Sequence, residues 1–108
     1  MMIKIVIEAD EFQEFEVPFE EENIKIELNF RLNRWFMNVS YQDKSLNGVK
    51  LSSGVLMLTG KNFPFEIFID DKGLGLDPFS VDCFERGLFD FYILERDEIE
   101  YIRGYKVE

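Results

Sequence analysis

Apolar and polar residues alternate with period two along most of this chain, starting near its first residue. Ile3, Ile5 and Ile7 fall on one face while Lys4, Val6 and Glu8 fall on the other, which is the pattern of a half-buried strand. Over Phe12 to Phe19, the apolar Phe15, Val17 and Phe19 alternate with Glu14, Glu16 and Pro18. A proline cannot donate to a strand ladder, so this segment suits an edge strand or the end of one. Glu20 to Asn23 then read as a turn. The cleanest alternation follows, with Ile24, Ile26, Leu28 and Phe30 set against Lys25, Glu27 and Asn29. A short polar connection, Arg31 to Arg34, leads to Trp35, Met37, Val39 and Tyr41, which alternate with Phe36, Asn38 and Ser40. Two alternating runs joined by so short a loop predict an antiparallel hairpin.

Tyr41 to Lys44 form another polar turn, and Ser45 to Ser53 a further strand in which Gly48 interrupts the pattern and marks a bulge. Val55 to Leu58, between Gly54 and Gly60, fits a strand or a helical turn, and periodicity does not choose between them. Phe65 to Ile69 is an apolar, β-rich strand closed by the turn Asp70-Asp71-Lys72-Gly73. Asp77-Pro78 has the form of an N-cap followed by proline at the first helical position, so Asp77 to Arg86 is the helix candidate, stopped by Gly87. Leu88 to Leu94, and Ile99 to Ile102 with Tyr105 and Val107, lie either side of the charged turn Glu95 to Glu98. They complete about eight short strands. The expected fold class is all-β and mostly antiparallel: a small barrel or sandwich, at most one short helix, one domain over residues 1–108, consecutive strands paired as a meander.

Composition adds a heavy aromatic content to this pattern. Twelve Phe, four Tyr and Trp35 bring the aromatics to 16% within 46% apolar residues, enough for a core without disulfides or a structural metal. The net charge of −10 repels phosphate backbones, which argues against DNA or RNA as a partner. Eight acidic residues and no Lys or Arg occupy Glu8 to Glu22, as either a solvated face that keeps a Phe-rich domain dissolved or a contact surface for a basic neighbour. The first ten residues turn acidic too soon for a secretory signal, and no apolar run approaches the roughly 20 residues of a membrane span. A soluble chain with no membrane partner is the expectation.

The chain offers few parts for catalysis. It has no His and one cysteine, Cys83, so the usual zinc, haem and iron–sulfur ligand sets are missing and no base is at hand to activate a thiol or a serine. Gly54 and Gly60 before Lys61 have one residue too many between them for a phosphate-binding loop, and Asn62 stands where Ser or Thr would reach magnesium. Asp70, Asp71, Gly73 and Asp77 lack the ladder and closing glutamate of a calcium hand. Among 22 acidic residues some pair is always close, so paired carboxylates carry no specificity for glycoside chemistry. Trp35 and Phe36 after Arg34 suggest a base-stacking platform, but without the basic groove that such sites need. The expectation is a binding protein, with no catalytic residue, no cofactor and no metal. Trp35, Phe36, Phe63, Phe65 and Phe68 are the candidate packing or contact residues.

The order of elements from Phe15 to about Tyr92 resembles the cyanophage baseplate plug family, small proteins of contractile phage tails. The elements that carry the resemblance are the strand Ile24 to Phe30, the hairpin Arg31 to Arg34 and the return strand Trp35-Phe36-Met37-Asn38-Val39-Ser40. After them come Leu46-Asn47-Gly48-Val49-Lys50-Leu51, Gly54-Val55-Leu56-Met57-Leu58, Asp77-Pro78 and Leu88 to Tyr92. Tyr41-Gln42-Asp43-Lys44 stands where relatives often carry an aspartate-rich turn. The resemblance implies a virion protein made in the host cytoplasm and built into the tail baseplate in several copies, filling or stapling the junction between tail tube, hub and wedge proteins. The rival from another class is an acidic DNA mimic that inhibits a host DNA-binding enzyme, supported by the net charge and the run Glu8 to Glu22. The aromatics alone would also suit a carbohydrate-binding β module on the virion.

Overall fold

In the computed structural model, which describes residues 2–95, the alternating segments are strands. They are β1 (Met2–Ile5), β2 (Phe12–Phe19), β3 (Glu22–Arg31), β4 (Arg34–Tyr41), β5 (Lys44–Lys50), β6 (Glu66–Asp70) and β7 (Asp90–Leu94). Two antiparallel sheets result, one of order β2-β3-β4-β5 and the other of order β1-β7-β6. The first sheet is the expected meander. In the second, β1 crosses the length of the chain to pair with β7, Ile3 facing Ile93 and Ile5 facing Phe91. The two sheets stay open as a sandwich and do not close into a barrel.

Turn chemistry fixes the meander. Leu32 and Asn33, the two residues between β3 and β4, both have positive φ (53° and 60°), the mark of a type I′ turn whose twist matches the strands it joins. Glu20 and Gln42 take positive φ at the first position of the other two hairpin turns. Between β4 and β5, Met37 faces Val49 and Val39 faces Leu46, so Asn38 alone opposes Asn47 and Gly48. This is the expected bulge, with Gly48 at φ 70°.

Inward positions of both sheets merge into one core that includes Ile24, Ile26, Leu28, Trp35, Met37, Val39, Ile67, Ile69, Phe91 and Ile93. Its aromatics gather at the two ends of the long hairpins. At one end Phe19, Tyr41 and Phe65 pack edge to face with centroids 5.3–5.7 Å apart. At the other, Trp35 meets Phe30 at 5.3 Å and Phe84 at 5.9 Å, and Phe84 goes on to Phe89 and Phe91.

The helix candidate over Asp77 to Arg86 comes to a single turn. The carboxylate of Asp77 is taken by another segment: Oδ1 accepts the Ser53 N–H at 2.9 Å, and Oδ2 lies 3.6 Å from the Lys50 ammonium. Without that cap only a single turn follows, Arg86 N–H bonding to the Asp82 carbonyl, too short to propagate as a helix. Gly87 does act as the stop. At φ 78° it donates to the Phe84 carbonyl while Leu88 donates to that of Cys83, the Schellman arrangement. Val55 to Leu58 lies in turns and irregular chain. It runs beside β6, where Ser53 bridges Ile69, the Gly54 N–H reaches the Ile69 carbonyl and the Met57 N–H that of Ile67. The strand expected over Ile99 to Ile102 lies outside the described residues.

Candidate protein-contact surface

The five aromatic candidates do not form one surface. Trp35 has no exposed area, and its indole N–H donates to the Ser80 carbonyl at 3.0 Å. Phe65 is buried against Phe19, Tyr41 and Phe63. Phe63 is half-buried at the same end of the sandwich, Phe68 is half-buried on β6 opposite Tyr92, and Phe36 is half-buried beneath the Arg31 guanidinium, 4.2 Å from its ring centre. Period-two alternation sends most large rings inward, so aromatic content marks the core here more than it marks a contact.

The outward face of the four-stranded sheet is polar and concave, holding an open hollow of about 800 Å³. Across it Glu14 stands opposite Glu27 and Glu16 opposite Lys25. Asn38 ties three strands together, donating to Glu27 Oε2 at 3.1 Å and accepting the Gly48 N–H at 2.8 Å. Glu14 and Glu16 of the acidic run thus line this face, Glu8, Asp10 and Glu11 lie between β1 and β2, and Glu20 to Glu22 sit at the β2–β3 turn beside Asp43 of the β4–β5 turn. Among the described residues, no group of three or more His, Cys, Asp or Glu is placed to hold a metal ion. Asp70 and Asp71 spend their carboxylates on backbone N–H groups of Lys72, Gly73 and Gly75.

Large apolar side chains are exposed at turns and loops, with Leu32, Val55, Leu74 and Leu76 among them, and also in and beside β1 and β2, at Met2, Val6 and Phe12. Leu32 is the extreme case, 84% exposed at the tip of the β3–β4 hairpin. The sequence signal for it is a leucine in a two-residue connection, a place that favours Asn and Gly. Sequence reasoning also missed Glu66, a buried carboxylate that accepts the N–H groups of Leu58 and Ile67 and the Thr59 hydroxyl.

Two tyrosines report the negative field at opposite parts of the molecule. Burial, then Glu20, Glu22 and Glu21, push the Tyr41 phenol above its ordinary value. Burial and Asp90, with a smaller push from Asp70, do the same to Tyr92. Between the ordinary value near 10 and these raised values, the unfolded chain releases protons that the folded chain keeps. Tyrosine ionisation should therefore leave stability unchanged up to about pH 10 and lower it above. Urea titrations at about pH 9 and about pH 11 check this, and Tyr92→Phe should reduce the difference between them. An equal loss in the Tyr92→Phe variant would assign the alkaline sensitivity elsewhere.

Comparison with known proteins gives one result that bears on these surfaces. No curated protein matches the chain. A family model described as "Cyanophage baseplate Pam3 plug gp18" matches residues 2–96, which spans both sheets and every turn described above. The chain therefore belongs to the cyanophage baseplate plug family.

Proposed function

We propose that this protein is a structural component of a contractile phage tail baseplate, where it fills or staples the junction between tail tube, hub and wedge proteins through protein–protein contacts. The observation that carries this reading is the family match over nearly the whole chain. The molecule's character supports it: a β-sandwich with exposed apolar side chains such as Met2, Phe12, Leu32 and Leu76, and no His to serve as a base. On this reading it works by occupying space and docking to neighbours, and it is not an enzyme.

The DNA-mimic alternative requires carboxylates in two unbroken rows at phosphate-like spacing. Here Lys25 and the uncharged Asn38, Ser40, Ser45 and Asn47 interrupt the acids on the open sheet face, which weighs against it. Quantitative mass spectrometry of purified virions and detached tails separates the two. The baseplate reading expects the chain at a fixed, low ratio to other tail proteins. Absence from particles despite strong expression in infected cells would favour the inhibitor.

A further inference from the structure

The β3–β4 hairpin tip and the opposite end of the same sheet carry opposite charge. At the tip, Leu32 stands almost fully exposed between Arg31 and Arg34. Neither arginine meets a carboxylate among the described residues: Arg31 lies over Phe36, and Arg34 donates to the Asn33 carbonyl. In a chain of net charge −10 this leaves an apolar knob with a cationic collar. Leu32 also sits at φ 53°, a left-handed conformation that a leucine side chain disfavours and that Asn or Gly would adopt with less strain. Folding alone would choose a different residue there.

At the far end lies a recess of about 370 Å³ whose lining includes Glu20, Tyr41, Gln42, Lys44, Phe63 and Pro64. Glu16, Glu21, Glu22 and Asp43 line the adjoining hollow, which shares Tyr41 and Gln42 with it, and together with Glu20 these acids outweigh Lys25 and Lys44. None of Glu20, Glu21, Glu22 and Asp43 has an ion-pair partner among the described residues. Burial, and after it Glu20, Glu22 and Glu21, push the Tyr41 phenol upward, in keeping with acids beside this recess.

We infer that two copies of this chain associate head to tail, the Leu32 tip of one seated in the recess between Glu20 and Phe63 of the next, with Arg31 and Arg34 facing the acidic rim. Knob and recess cannot meet within one molecule, because the ten-residue strand β3 sets them about 30 Å apart. The contact is therefore heterologous and the pair keeps one free tip and one free recess, so the arrangement extends to a ring or a short stack. This inference goes beyond the baseplate reading and does not depend on it, since it concerns the purified chain alone.

Sedimentation velocity of the full chain at low salt, from about 1 μM to about 1 mM, tests it. The average mass should rise with concentration, and added salt should weaken the association. Leu32→Asn should weaken it by at least about tenfold. The same variant should raise Tm by about 2–4 °C, because the turn loses its strain. A packing role for Leu32 would move Tm the other way. Glu20→Lys should weaken it in the same way, yet mixing it with Leu32→Asn should give a 1:1 dimer that grows no further, each variant supplying one intact end. A wild-type chain that stays monomeric throughout, a Leu32→Asn variant that associates like wild type, or a mixture that stays monomeric would overturn the inference.

Discussion

Replacing Trp35 with alanine is expected to lower the free energy of unfolding by about 3–5 kcal/mol. The side chain is wholly buried and wedged between Phe30 of its own sheet and Phe84 of the segment that precedes β7. Truncation leaves a cavity that two rigid rings close poorly, and cavity volume adds to the lost transfer energy. It also removes the donor that the Ser80 carbonyl receives. Trp35→Phe narrows the question, because it keeps most of the apolar volume and loses the N–H with part of the ring; about 1–2 kcal/mol is expected for it. Trp35 is the sole tryptophan, so far-UV circular dichroism in urea is the suitable probe. Unchanged stability with failed assembly would instead make Trp35 a contact residue.

Glu66→Ala should be nearly as damaging, at about 3 kcal/mol, although a glutamate on a strand is ordinarily dispensable. Only 3% of Glu66 is exposed, and its carboxylate is held there by three donors: two backbone N–H groups and the Thr59 hydroxyl. Such charge-assisted bonds are the stronger kind, and removing the acceptor strands the buried N–H groups of Leu58 and Ile67. Glu66→Gln retains one carbonyl acceptor and should cost about half as much. Native-state hydrogen exchange localises the effect, with the Leu58 and Ile67 amides expected to lose protection in the alanine variant ahead of the β3–β4 ladder. Uniform loss of protection across both sheets would mean that Glu66 acts globally.

Most of the strands were legible because period-two alternation is local information. Ile24 to Phe30 and Trp35 to Tyr41 need no knowledge of distant residues to be read as a hairpin, and their register follows from a two-residue turn. What escaped depends on partners far away in sequence. Asp77 looks like an N-cap beside Pro78 until Ser53 and Lys50 claim its carboxylate. Glu66 reads as one more acidic residue until the turn around Leu58 folds over it. The pairing of β1 with β7 has no local signature at all. Among the candidate packing or contact residues, Phe65 and Trp35 are conspicuous by size, and size is what the core selects, whereas Leu32 is conspicuous only by its position in a turn.

The split between a local and a distant sheet also sets an order of assembly. Each hairpin of the β2–β5 meander closes a loop of a few residues, while β1 can pair with β7 only after loop closure across nearly the whole described chain. On the ribosome, β7 emerges about 44 residues after β5, a delay of roughly 2–9 s at 5–20 residues per second. Throughout that interval the inward face of the meander, with Ile24, Ile26, Leu28, Trp35 and Met37, has no second sheet to cover it. The acidic run Glu8 to Glu22 is synthesised before the bulk of β3, β4 and β5, so a nascent chain with a bare apolar face already carries the charge that keeps neighbouring nascent chains apart.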